Sequence, residues 1–268
     1  MMLRVACIFL LMNLFMMIPQ GFCASLISRG IVVGLPLGAI SKPGFLVEDI
    51  GAYFSEPNRV IGSSNTIGNV GVIEYSSKTR WFNNQFRFLF APALEWRKGP
   101  AIGQSWHYGV PSPIFYAGLA HEIFPGLGIA SYVGGFAPLR AGVSQRDFWL
   151  ISNMTSLSYT LDDYNITLTM IYGHPGNDLS DNATKPFPNF INLDFAATKI
   201  ISGIEIGPIW YSSKDLNFPI NQQQFAIGGL VGFQVLGYSL QFWAGHDIFA
   251  YDYPQQAISG YFRLKKVF

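Results

Sequence analysis

The feature that most constrains this chain is the way its connections alternate in length. One hairpin is clear: residues 149–161 and 164–173 are strand-like runs separated only by Asp162-Asp163, a tight turn. The next connection, 174–188, is long and polar, and leads to a strand at 189–200. A short Ile201-Ser202-Gly203 turn follows, then a strand at 204–211 and a longer loop at 212–222. Strands at 223–235 and 238–249 flank a turn at Leu236-Gly237, and a polar loop around Tyr251 to Pro254 precedes the last strand, which ends at Phe268. The earlier half reads the same way. Strands are expected at 44–54, 70–76, 81–96, 114–123 and 128–138, with short turns at 77–79 and 125–126 and outer loops at 55–69, 97–109 and 139–146. Short turns on one side and long loops on the other are the build of an outer-membrane barrel. The count comes to about twelve strands, an even number, so the expected fold is an all-β transmembrane antiparallel β-barrel.

Side-chain alternation agrees. Ile191, Leu193, Phe195 and Ala197 share one face of their strand, and Asn192, Asp194, Ala196 and Thr198 share the other. Phe86, Phe88 and Phe90 alternate with Gln85, Arg87 and Leu89. Only 12% of residues are charged, where a soluble domain carries about 25%. Apolar runs of about 18 or more residues, which a spanning helix needs, do not occur past the leader. The first strand is awkward, because Glu48 and Asp49 are adjacent and cannot both face inward.

The N-terminus reads as a secretory signal at 1–23: Arg4 is the positive region, residues 5–18 are the apolar region, and Pro19 ends it. Cleavage falls near Gly21 to Ser25. A lipoprotein would instead acylate Cys23, but Phe22 is bulky for the position before it. A lead-in segment at 24–42 precedes the barrel at 43–268. Cys7 and Cys23 are the only cysteines, so the mature chain has no disulfide frame and no thiolate metal site. Without the leader the formal net charge falls from +1 to 0, which gives no reason to expect nucleic acid.

The C-terminus carries an aromatic end preceded by alternating apolar residues. Phe262, Leu264 and Phe268 make one face and resemble the signal read by the outer-membrane assembly machinery; Lys266 interrupts it, where it can snorkel to headgroups. Two further stretches carry a family resemblance. One is Tyr108-Gly-Val-Pro-Ser-Pro-Ile-Phe-Tyr-Ala-Gly-Leu-Ala-His121 followed by 128–138, ending Gly134-Gly-Phe-Ala-Pro138. The other is 189–211, with Leu193-Asp-Phe-Ala-Ala197 and Gly203-Ile-Glu-Ile-Gly-Pro-Ile-Trp-Tyr211. In their order and spacing these resemble the transporter-like outer-membrane proteins of the meta-cleavage pathway of phenol degradation, over about 44–268. That resemblance implies a barrel in the bacterial outer membrane, with lipids around it and a small hydrophobic or aromatic permeant as partner.

Candidate chemistry is sparse. His107, His121, His174 and His246 show no metal-ligand spacing. His246 next to Asp247, with Ser239 on the same strand, matches no catalytic motif, and neither do Ser152, Ser156 and Ser158 on one strand face. No cofactor and no enzymatic activity are expected. The alternation turns Arg87, Asp194, Glu205, Trp243, Asp247, Arg263 and Lys265 inward, as candidate lumen-lining residues. Balanced signs suit salt bridges that fill the lumen; the other reading is a lining that selects a permeant. Trp81, Trp96, Trp149, Tyr159, Trp210 and Tyr211 are expected in interfacial girdles. The expected function is passive passage of small apolar or aromatic compounds. The alternatives are a closed structural or surface-interaction barrel and, behind it, a lipid-modifying enzyme.

Overall fold

A computed structural model describes residues 27, 29–56, 64–99, 103–139, 142, 148–176, 188–216, 222–251 and 258–268. The signal-peptide reading and Cys23 lie outside them. The strands are β1 (Gly44–Glu56), β2 (Ser64–Trp81), β3 (Asn84–Ala91), β4 (Ala93–Gly99), β5 (Gly103–Gly109), β6 (Ile114–Phe124), β7 (Leu127–Phe136), β8 (Leu150–Leu161), β9 (Tyr164–Pro175), β10 (Phe190–Ile201), β11 (Ile204–Asp215), β12 (Gln223–Val235), β13 (Tyr238–Tyr251) and β14 (Ile258–Val267). All pairings are antiparallel between neighbours, and β1 pairs with both β2 and β14, which closes the sheet. The result is a twelve-strand barrel with two extra strands. The extra pair is β4 and β5. β4 continues the line of β3 past Pro92, and both pair with β2.

Closure is what a membrane demands. Backbone N–H and C=O groups have no water there, so a spanning sheet cannot leave an edge. The apolar faces pack around the outside: Phe195 stacks on Trp210 at 5.4 Å, Phe242 lies 5.2 Å from Phe262, and Phe90 stacks on Phe115 at 4.7 Å. At one end the turns are two residues long. Phe82-Asn83, Ser202-Gly203 and Leu236-Gly237 each hold two successive positive φ angles (48° and 62°, 52° and 82°, 51° and 79°). That is the type I′ hairpin signature, whose twist matches the strands.

Four expectations need correcting. The first turn is at Phe82-Asn83, not 77–79. β2 runs on to Trp81 through a register shift between Ser76 and Arg80, and the Asn84 amide donates to the carbonyls of Trp81 and Phe82. The outer loop expected at 97–109 is instead the β4–β5 hairpin, and the start of β2 at Ser64 shortens the preceding loop. Tyr211 belongs to no girdle: it is fully buried and faces the interior. Trp81 and Trp149 are exposed at strand ends, as girdle residues are. Of the adjacent acids, Glu48 is buried inside and Asp49 is exposed outside, where it accepts a hydrogen bond from Asn69 Nδ2 at 2.6 Å.

The largest finding is inside the barrel. The lead-in segment does not precede the barrel so much as fill it. Its chain begins beside Asn192, near the long-loop end, where Asn192 Nδ2 donates to the Ile27 carbonyl. It then descends to Ser41 beside Gln85, near the short-turn end, and enters β1 at Gly44. Val33, Leu35 and Leu37 are buried, and the barrel's two apolar clusters form around them. Two more turns shape this plug, Val33 N–H to Gly30 O and Ala39 N–H to Pro36 O.

Because Phe195 faces lipid near mid-strand, Phe195→Arg should lower unfolding free energy by about 2–4 kcal/mol. Leu236→Arg, in an exposed short turn, should change it by less than about 0.5 kcal/mol. Urea unfolding of the refolded barrel in lipid vesicles measures both, and equal effects would mean the strand register is wrong.

Candidate functional site

The inward faces and the plug form one continuous polar and apolar interface. Plug residues 30–34 are Gly-Ile-Val-Val-Gly, with no polar side chain. Their main chain still carries donors and acceptors that burial would strand. The wall supplies the partners. Asp194, on β10, accepts the N–H groups of Gly30 (3.0 Å) and Val32 (3.2 Å). Arg263, on β14, donates to the carbonyls of Val33 (3.0 Å) and Ile31 (2.9 Å). Trp243 Nε1 donates to Gly30 O at 3.0 Å, Asn165 to Gly34 O at 3.0 Å, and the Tyr261 hydroxyl to Arg29 O.

A second clamp holds the lower plug. Arg87, on β3, donates to Leu37 O at 2.8 Å and to Ala39 O. The Tyr132 hydroxyl and the Gln85 amide oxygen complete its surroundings. Glu74 lies 3.6 Å from Arg87 Nε, and both side chains are buried. The Ser158 hydroxyl accepts the Gly38 N–H at 2.9 Å. Fit is close at each plug glycine. A Cβ on Gly38 would lie 2.6 Å from Gly128 O, and one on Gly34 would lie 2.8 Å from Leu230 Cδ1. Gly30 has φ +72°, and its Cβ would lie 3.0 Å from Tyr211 and from the Tyr261 hydroxyl.

Every sequence-derived lumen residue turns inward, but the arrangement is not a salt-bridge network spanning the lumen. Arg263 stacks its guanidinium over Trp243 at 4.4 Å, and Trp243 stacks on Tyr261 at 4.9 Å. Glu48 is the carboxylate near Arg263 (3.9 Å) and Lys265 (3.8 Å), at distances of loose ion pairs. Glu205 accepts from Asn165, Thr198 and Gln241. Asp247 accepts from Gln224. Arg87 thus makes its shortest hydrogen bonds to the plug main chain, while Arg263 divides its own between two plug carbonyls and Gln241 Oε1 at 2.8 Å.

The possible catalytic groups do not converge. His246 is outward and exposed while Asp247 is inward and buried, as neighbours on a strand must be. Ser152, Ser156 and Ser158 face the interior, bonded to Tyr116, Thr169 and the plug. His174 Nδ1 pairs with Asn189 at 2.8 Å at the outer rim. Among the described residues no group of His, Cys, Asp and Glu has metal-binding geometry. At the C-terminus, Phe262 and Leu264 lie on the outer face, and Lys266 sits over Tyr238 (4.6 Å) and Phe268 (5.0 Å). That aromatic pairing lets the cation occupy the outer face.

A second feature lies on the lipid side. A groove of about 400 Å³ opens across β2, β3, β6 and β7, lined by Tyr75, Phe88, Phe90, Phe115, Ala117 and Val133 among others. It sits just below the point where the wall changes partners. β6 pairs with β3 only up to Ile114–Ala91, and beyond Pro92 the free side of β4 is taken by β5.

No family model matches this chain, and no curated protein matches it. Solved structures do. The COG4313 outer-membrane channel from Pseudomonas putida F1 superposes with a TM-score of 0.71 at 12% identity, over 87% of this chain and 98% of that one. The translocator domain of the autotransporter NalP from Neisseria meningitidis gives 0.48 at 11% identity, over 85% and 90%. The NanC porin gives 0.46 at 10% identity, over 83% and 100%. The fold is therefore that of a bacterial outer-membrane barrel, and the last two share it only loosely.

The Arg87 clamp carries a measurable load. Arg87→Ala strands the buried Glu74 carboxylate and two plug carbonyls, and should cost about 3–5 kcal/mol. Adding Glu74→Gln should recover part of that loss. Denaturant unfolding of the single and double variants checks it, and strict additivity would mean that the pair is not coupled.

Proposed function

We propose that this outer-membrane barrel is a channel or transporter for small apolar or aromatic compounds. The observation that carries the proposal is the aromatic groove on the lipid side of β2, β3, β6 and β7. A compound dissolved in the outer leaflet meets there a recess lined mostly by apolar and aromatic groups, which can hold it at the wall by van der Waals contact. The barrel's likeness to a structure described as an outer-membrane channel supports the reading. So does the resemblance of 108–138 and 189–211 to the phenol meta-pathway transporter family. The passage would be passive.

One observation favours a second reading. The plug fills the lumen with well-partnered main chain, as a closed barrel with a structural or surface-contact role would have it. The two readings differ in what intact cells take up. Cells producing the chain should accumulate the apolar fluorophore 1-N-phenylnaphthylamine several-fold faster than cells without it. Ala117→Trp, which fills the groove from an exposed outward position, should remove most of that gain while the barrel still migrates as folded on unheated gels. No gain in uptake from folded wild-type protein would leave the closed barrel as the function.

A further inference from the structure

The plug is bound the way a ligand is bound. Residues 30–34 carry no polar side chain, so each hydrogen bond they receive from the wall falls on an amide N–H or carbonyl. Asp194 takes alternate N–H groups, those of Gly30 and Val32. Arg263 serves alternate carbonyls, those of Ile31 and Val33. A carboxylate and a guanidinium spaced to serve alternate amides form a receptor for peptide linkage, indifferent to which apolar side chains accompany it. Trp243, Tyr261 and Tyr211 wall the same place with aromatic faces. Bulk is excluded where Gly30 and Gly34 sit, since a Cβ there would meet Tyr211, Tyr261 or Leu230.

These groups would be costly in an empty lumen. Asp194 and Arg263 are both almost fully buried, and buried charges need partners. Around the Leu35 side chain the wall is apolar, and its charged groups stand where the plug's main chain has to be met. We propose that the site formed by Asp194, Arg263, Trp243 and Tyr261 is an amide-recognition site, which the plug occupies as a resident pseudo-ligand. The ligand it would take in the plug's place is a short apolar compound bearing secondary amides, such as a small N-acylated peptide. This names a ligand class within the transport reading and rests on that reading for its purpose, while the binding step can be measured alone.

The test uses the full chain. Gly30→Val places a β-branched side chain at φ +72°, where only glycine is comfortable, and against Tyr211 and Tyr261. It should unseat 29–33 while every wall residue keeps its identity. The probes are acetyl-Gly-Leu-Val-amide and its analogue with the central amide N–H replaced by an ester oxygen. Isothermal titration into the folded, detergent-solubilised Gly30→Val barrel should give at least tenfold tighter binding for the amide. The wild type, its site occupied, should bind the amide at least tenfold more weakly than Gly30→Val does. Adding Asp194→Ala should erase the difference between amide and ester. If Gly30→Val fails to fold, Gly34→Val serves in the same assay, with its Cβ directed at Leu230. Equal binding of amide and ester, binding equal to wild type, or no binding by a folded variant at millimolar probe would each overturn the proposal. Loss of cellular uptake with amide-selective binding intact would count against transport alone.

Discussion

The structure depends on one requirement: every buried main-chain amide must find a partner. In lipid the requirement closes the sheet, since β1 has β2 on one side and β14 on the other. Closure creates a lumen, and the chain then threads its own segment through it, bringing a second set of amides that no ladder can satisfy. The wall meets that need with side chains. Arg87, Arg263 and Asp194 are charged groups that would be hard to bury alone, and plug amides that would be hard to bury alone are their partners. Each half supplies the other's hydrogen-bond partners, so the lumen contents and the barrel stabilise one another.

Much of this was legible in the sequence, for a physical reason. Strand periodicity is two, so the inward positions of Arg87, Asp194, Glu205, Trp243, Asp247, Arg263 and Lys265 follow from counting along well-defined strands. The two-residue turns at Ser202-Gly203 and Leu236-Gly237 were equally visible, because left-handed backbone favours glycine. What could not be counted was the first turn. Phe82 is bulky at φ 48°, and the polar Ser77-Lys78-Thr79 stretch looks more like a turn than it does. Tyr211 looked interfacial because it follows Trp210, yet adjacent strand residues point to opposite faces. The plug carries no sequence signature of its own. Its glycines at 30, 34 and 38 recur every four residues in an apolar stretch, a spacing with no meaning until there is a wall for each to press against. An excess of inward charge with no single-sign ring was the available hint that something polar lay inside.

The adjacent acids of β1 divide this logic cleanly. Glu48, inside, sits near Arg263 and Lys265 and completes the electrostatics beneath the upper plug. Asp49, outside, has Asn69 as its hydrogen-bond donor on the lipid face. A carboxylate there is costly, though less so than a basic residue. Its side-chain amide neighbour on the adjacent strand reduces the cost by giving one oxygen a partner, which the hydrocarbon cannot.

The same accounting explains why the wall is interrupted where it is. Pro92 stands between β3 and β4, and its carbonyl still accepts from Gly71 N–H at 3.0 Å, so the β2 side of the ladder is unbroken. The other side is different. Residues 110–113 include Pro111 and Pro113, which have no N–H to offer and cannot extend β6 along β4. The free edge of β4 would then be bare in the outer half of the wall. β5 folds back to cover it, pairing Trp96 with Tyr108 and Arg97 with His107. The new edge is β5's own, and the bridge between Gly109 and Gly142 ties its end to the loop after β7. The hairpin therefore carries the unpaired edge outward, toward the long-loop end where water can serve it. Below it, the junction leaves the aromatic recess across β2, β3, β6 and β7, so the groove follows from two prolines and the need to satisfy one strand's amides.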